Sequence, residues 1–187
     1  MRASRLSFAV AALLLSGLSF AKAAPPPTAP ETGIGPVTKL PLPRYASLKT
    51  DRVNLREGPS KDHRTLWVFQ RAGLPVEIVG EFETWRRIRD SEGTEGWVLH
   101  SLLSGRRTAI VNAGPDKGAE KAAISLRAKA DEGAEDEARL QTGVIGNVKN
   151  CTGTWCRLIV ALPNRRDVDG YIRQNRLWGV YPNEVVE

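Results

Sequence analysis

The chain is poor in the residues that most often carry chemistry: two cysteines, two histidines and one methionine in 187 residues. The two cysteines alone fall short of a four-ligand structural zinc site, and His63 and His100 lie far from them in the chain. Aromatics make up only 6% of the chain. Long apolar runs are also scarce, and the one that stands out, Leu6 to Phe20, is shorter than the ~20 residues a spanning helix needs. A glycine-rich phosphate loop is absent. What is present is ordinary globular composition, 41% apolar and 26% charged, which excludes a disordered or collagen-like chain.

The short apolar run has a targeting reading. Arg2 and Arg5 precede it and Ala21-Lys22-Ala23 follows as a small-x-small cleavage signal, so residues 1–23 are expected to be a secretory signal peptide. The expected mature chain is exported to the periplasm or cell envelope, with no membrane span after signal cleavage. Removing Arg2, Arg5 and Lys22 takes the 27 basic residues to 24 against 21 acidic, and the net charge from +6 to +3. The remaining excess sits between Arg44 and Val111, where 12 basic residues face 9 acidic ones; Asn112 to Glu187 holds 11 of each. Export and so small an excess argue against a nucleic-acid partner, which demands a strong basic footprint.

Residues 24–43, opening Ala24-Pro25-Pro26-Pro27, lack a hydrophobic period and are expected to form a semi-rigid Pro-rich spacer. Beyond them the chain repeats itself. Leu55-Arg56 recurs as Leu126-Arg127, Trp85-Arg86-Arg87-Ile88 as Trp155-Cys156-Arg157-Leu158, and Gly96-Trp97-Val98 as Gly170-Tyr171-Ile172, at offsets of 71, 70 and 74. Two domains follow, 44–111 and 119–187, with a linker at 112–118 around the turn signal Asn112-Ala113-Gly114-Pro115. Alternation over Arg52 to Arg56, Pro75 to Val79, Trp85 to Arg89 and Trp97 to Leu99, broken by Gly58-Pro59 and glycines, predicts short strands. Helical periodicity is weak except at Glu132 to Leu140, which suits an exposed helical turn or a solvated loop. The fold class expected is all-β: two tandem small open barrels.

The string Val53-Asn54-Leu55-Arg56-Glu57-Gly58-Pro59-Ser60, then Gly73 before Val76-Glu77-Ile78-Val79, then Trp85-Arg86-Arg87-Ile88 and Gly96-Trp97-Val98, resembles the bacterial SH3-like domain family in its usual order. The second copy departs from that pattern: Ala128-Lys129-Ala130 follows Arg127, and Tyr171 stands where the late Trp is expected. The resemblance implies a tandem SH3-like protein recognising cell-wall glycan or peptide; an envelope protein is the alternative partner.

Alternation in the Trp85 strand places Ile88 inside a barrel and Trp85, Arg87 and Arg89 together on the other face. An outward Trp beside two arginines suits stacking of a sugar or peptide and pairing of its carboxylates. With Arg56 and the turn Gly58-Pro59 nearby, these six residues are the expected ligand-binding site. Trp97 and Tyr171 read as core or rim aromatics, and Trp178 as cover for the second barrel's open end or packing between domains. Arg106-Arg107 reads as a solvated cationic pair.

Cys151 and Cys156 flank a turn-like Thr152-Gly153-Thr154-Trp155, and an oxidising compartment points to a cross-strand disulfide. At an offset of 70 they align with Glu81 and Arg86, opposite charges where the sister copy has thiols. Catalysis finds no support. A Cys-His nucleophile would have to bridge the two copies, and Asp167 and Asp169 lie in a polar stretch that reads as a hairpin loop. No catalytic residue, metal site or cofactor is expected.

Overall fold

A computed structural model describes residues 33–112, 123–163 and 166–187. The expected signal peptide, the spacer up to residue 32 and nearly all of the expected linker lie outside the described residues. A hairpin of β1 (Gly33–Ile34) and β2 (Pro41–Leu42) comes first. The first sheet contains β3 (Arg44–Leu48), β4 (Val53–Arg56), β5 (Thr65–Phe69), β6 (Pro75–Phe82), β7 (Trp85–Arg89), β8 (Glu95–Leu99) and β9 (Leu103–Ser104). Its order is β5-β4-β8-β7-β6-β3-β9. The second contains β10 (Thr108–Val111), β11 (Ile124–Arg127), β12 (Asp136–Leu140), β13 (Ile145–Thr152), β14 (Trp155–Val160), β15 (Val168–Arg173), β16 (Leu177–Trp178) and β17 (Val185–Val186). Its order, β12-β11-β15-β14-β13-β10-β16, repeats the first strand for strand, and β17 adds to β13. No helix among the described residues is long and apolar enough to cross a membrane.

The architecture is the all-β tandem expected, with three corrections. Thr108–Val111 does not close the first domain but opens the second, pairing with β13 and β16. Its role copies β3: Leu48 bonds Leu74 and Gly73 through N and O, and Val111 does the same with Val144 and Gly143. The stretch Glu132 to Leu140 is a turn and the edge strand β12, because pairing with β11 overrides a weak helical pattern. The third correction concerns the spacer. From Gly33 onward it is structured: Leu42 is buried in the first core, and Val37 N, Thr38 N and Thr38 Oγ1 all donate to the Glu81 carboxylate.

Each barrel encloses its own apolar core. Val53, Leu55, Ile88 and Val98 fill the first, and Leu126, Leu158 and Ile172 the second, all 0% exposed. Burying each such side chain stabilises by roughly 1.5–3 kcal/mol. Gly96 explains why the repeat keeps glycine at that point: a Cβ would sit 2.6 Å from Leu55 Cγ and 2.8 Å from the Arg56 carbonyl oxygen. Gly170 meets the Arg127 carbonyl oxygen in the same way, at 2.7 Å.

Cys151 and Cys156 are disulfide-bonded across β13 and β14, with Cα atoms 4.1 Å apart. Glu81 and Arg86 face each other across β6 and β7 at the equivalent register. Their pair is buried rather than exposed: the Glu81 side chain is 0% accessible and Arg86 6%, with Nε and Oε1 3.6 Å apart. So short a covalent loop contributes about 2 kcal/mol through chain entropy. Reduction and alkylation should lower the urea-unfolding free energy by about that amount, and an unchanged midpoint would remove the bracing role.

Candidate functional site

On β7 the alternation is as expected, but the face opposite Ile88 is not open. Arg87 is only 9% exposed and donates from Nη2 to Glu95 on the neighbouring strand β8. Arg89 donates through Nε and Nη2 to Glu77 Oε2 at 3.0 and 2.7 Å. The hydrogen bond to Glu77 raises the Arg89 pKa above its usual value. The other oxygen of Glu77 accepts from Tyr181 Oη of the second repeat at 2.9 Å. The two arginines that the sequence offers to a ligand are therefore occupied by cross-strand carboxylates, and the carboxylate held by Arg89 also bonds the second repeat.

Trp85 and Arg56 do come together, in a cleft of about 290 Å3 on the first barrel. Leu99, directly across from Trp85 on β8, and Leu102 give it an apolar wall. Asn54 completes the alternating outer face of β4 with Arg56, Arg52 extends it from just before the strand, and Lys61 arrives from the loop between β4 and β5. Sequence reasoning missed Arg52 and Lys61. The first was accessible to it, because Arg52, Asn54 and Arg56 alternate with the core residues Val53 and Leu55. Lys61 carried no such signal.

Gly58 and Pro59 shape the Lys61 loop instead of lining the cleft. Glu57 N bonds Arg64 O at 3.0 Å, and Arg56 Nη1 donates to His63 O at 2.8 Å, which ties the loop to the strand. Gly58 lies against the His63 ring, where a Cβ would come within 2.4 Å of Nε2. Three cations thus surround the Trp85 cleft, no carboxylate lines it, and among the described residues none of the three is in an ion pair. Charge-assisted hydrogen bonds to such groups contribute roughly 1.5–3 kcal/mol each. The arrangement suits an anionic group attached to an apolar or ring-shaped body.

The repeats meet through aromatics. Tyr45 of β3 stands edge-on to Trp178, centroids 5.2 Å apart at 79°, and packs on Tyr181 at 4.6 Å. Trp178 packs between the domains. Arg107 is no solvated cation: it binds both oxygens of Glu184 at 2.8 and 3.0 Å. On β14, Arg157 and Asp169 form a bidentate pair at 2.9 and 2.6 Å.

A family profile described as Bacterial SH3 domain matches residues 49–105 and 120–179. Comparison with curated proteins finds no match. Among solved structures, NlpC2 from Trichomonas vaginalis is similar over 73% of this chain and 48% of that one, at 13% identity and a TM-score of 0.31. NlpC1 from the same organism is similar over 77% of this chain and 48% of that one, at 12% identity and a TM-score of 0.32. The chain spans about half the length of these structures.

Proposed function

Because the chain belongs to the bacterial SH3 domain family, in two copies, we propose that it is an exported, non-catalytic protein of the periplasm or cell envelope that binds peptidoglycan material through its first domain. The observation that carries this reading is the Trp85 cleft: Arg52, Arg56 and Lys61 surround an aromatic ring with no carboxylate lining to neutralise them. Wall peptides end in carboxylates, and such a cleft offers cations beside an apolar wall formed by Leu99, Leu102 and the small exposed part of Trp85.

Co-sedimentation of the mature protein with purified sacculi tests it. Arg52 and Lys61 are exposed, so the double charge reversal Arg52→Glu/Lys61→Glu should leave the fold intact. It is expected to weaken sedimentation ~10-fold or more, and binding to the parent protein should fall as salt rises. Trp85→Ala should also weaken it, although that ring is only 7% exposed and the charge reversals are the cleaner variants. Sedimentation unchanged by the reversals would overturn the proposal.

A second reading, docking onto an envelope protein, draws on the edge strand β5, where Trp67 is 60% and Leu66 39% exposed. Absence of sedimentation at physiological salt would favour it.

A further inference from the structure

The second repeat has a cleft at the place equivalent to the Trp85 cleft, with Trp155 for Trp85, Arg127 for Arg56 and Ser125 for Asn54. Its chemistry is different. We infer that it is a separate binding site for an uncharged saccharide. This deepens the wall-recognition reading and rests on it for the identity of the polymer, but the site stands on its own geometry.

Size is the first observation. The cleft measures about 920 Å3 against about 290 Å3 in the first repeat. It is at the upper end of the ~300–1,000 Å3 common for small-ligand sites. The difference comes from the junction between barrels, where Tyr45 of the first repeat joins Trp178 of the second in the lining. The edge-on contact from Tyr45 braces the Trp178 indole, and Tyr181 backs Tyr45 in turn. A braced indole that keeps part of its surface open is a ready plate for the C–H face of a sugar ring.

Charge is the second. Lys61 is replaced by Glu132 and Leu99 by Arg173, and the new residues neutralise each other: Arg173 Nε donates to Glu132 Oε1 at 2.6 Å. The Arg173 guanidinium also lies over the Trp155 ring, 4.3 Å from its centroid. Arg127 is held by Asp136 at 2.8 Å and by the Ala134 carbonyl oxygen at 2.9 Å. Arg176 is engaged as well. An anion entering here would have to compete with a carboxylate already bound, whereas in the first cleft it would not.

The polar groups that remain are uncharged. Thr154, Asn175 and Asn183 line the cleft with a hydroxyl and amides, and Ser125 Oγ, which donates to Asp136 Oδ2 at 3.1 Å, keeps its acceptor lone pairs. Such groups both donate and accept, which matches sugar hydroxyls and acetamido groups. The two repeats thereby divide one polymer between them: the first takes its anionic parts and the second its neutral rings.

Chitotriose, a neutral trisaccharide, is the probe, titrated into the mature full-length protein with indole N–H resonances as the readout. Shifts of the Trp155 and Trp178 signals are expected, with an affinity that changes less than ~2-fold between about 50 and about 500 mM salt. Trp178→Ala should weaken binding ~10-fold, as loss of a stacking plate does. Asn175→Ala, which leaves the barrel junction untouched, should weaken it several-fold with an unchanged melting temperature. Arg52→Glu/Lys61→Glu should leave chitotriose binding as it was. No indole shift at millimolar chitotriose, or binding that survives both cleft variants, would overturn the inference. If sacculi binding fell with the charge reversals while chitotriose gave no shift, only this inference would fail. Chitotriose binding beside sacculi binding insensitive to those reversals would support it and remove the first-cleft reading.

Discussion

Glu81→Ala is expected to destabilise the first barrel by about 3–5 kcal/mol, the range for removing one partner of a buried ion pair. The carboxylate has no solvent access and gathers Arg44 Nη2 at 2.7 Å, Arg86 at 3.6 Å, Thr38 Oγ1 at 2.6 Å and the backbone N–H groups of Val37 and Thr38. Taking it away strands two guanidinium groups and releases the 33–42 hairpin. Burial pushes the Glu81 pKa up, but the bonds from Thr38, Arg44 and Val37 outweigh burial and hold it at about 2, against an ordinary 4.5. That gap corresponds to about 3 kcal/mol. Since the folded-state pKa lies below the unfolded one, this stabilisation is complete above pH 4.5 and is lost as pH falls toward 2. Urea unfolding at pH 7 and at pH 3 checks both parts. The variant should be weaker at pH 7, and the gap to the parent should narrow at pH 3. Glu184, Asp136 and Asp169 also have lowered pKa values, so the parent loses stability in acid for several reasons and the difference between the two curves isolates Glu81. Parallel curves would show that the network contributes nothing through this proton.

The same position shows what can be read from the residues alone. The offset of 70 that aligns Glu81 with Cys151 and Arg86 with Cys156 is a local pattern, and the cross-strand register follows it in both repeats. Strand alternation likewise gives the cores, because a period of two leaves Leu55 and Ile88 only one side to occupy. Three features escape such patterns. Thr108–Val111 lies 63 residues from its counterpart in β3, because Asn112 to Ala123 lengthens only one spacing and the other offsets hide the match. The 33–42 hairpin brings little apolar surface beyond Leu42 and is held by a distant carboxylate, so no hydrophobic period announces it. The pairing of Arg87 and Arg89 on the expected face escapes for the same reason. Whether Arg87 and Arg89 are available depends on two carboxylates in the neighbouring strands, Glu77 and Glu95, which both lie opposite Arg89 and the second of which Arg87 reaches diagonally, a matter of register rather than of the β7 sequence.

Tyr45→Ala should split thermal unfolding, one transition in the parent, into two. Tyr45 is the common contact of the junction: Trp178 meets it edge-on, Tyr181 packs on it, and Arg107 sits 5.9 Å from its ring centre. Removing a packed aromatic of this size costs about 3 kcal/mol. Among the described residues, polar links remain beside it: Tyr181 to Glu77, and Arg71 to the Gly143 carbonyl. Two partly exposed polar contacts of this kind contribute roughly 1 kcal/mol each, less than the ring they accompany and too little to keep two separate cores melting together. Alkali should loosen the same junction. Burial first, and then the Glu77 carboxylate, push the Tyr45 phenol up to about 12 from 10.0, and the same two causes raise Tyr181. For a phenol whose folded-state pKa is raised, the stabilisation is present below 10 and is lost as pH climbs toward 12. Calorimetry at pH 8 and pH 11 reads both effects: one transition in the parent at pH 8, two in the variant, and a parent curve that broadens or divides at pH 11. A single sharp transition for Tyr45→Ala at pH 8 would mean that the barrels are coupled by something other than this aromatic contact.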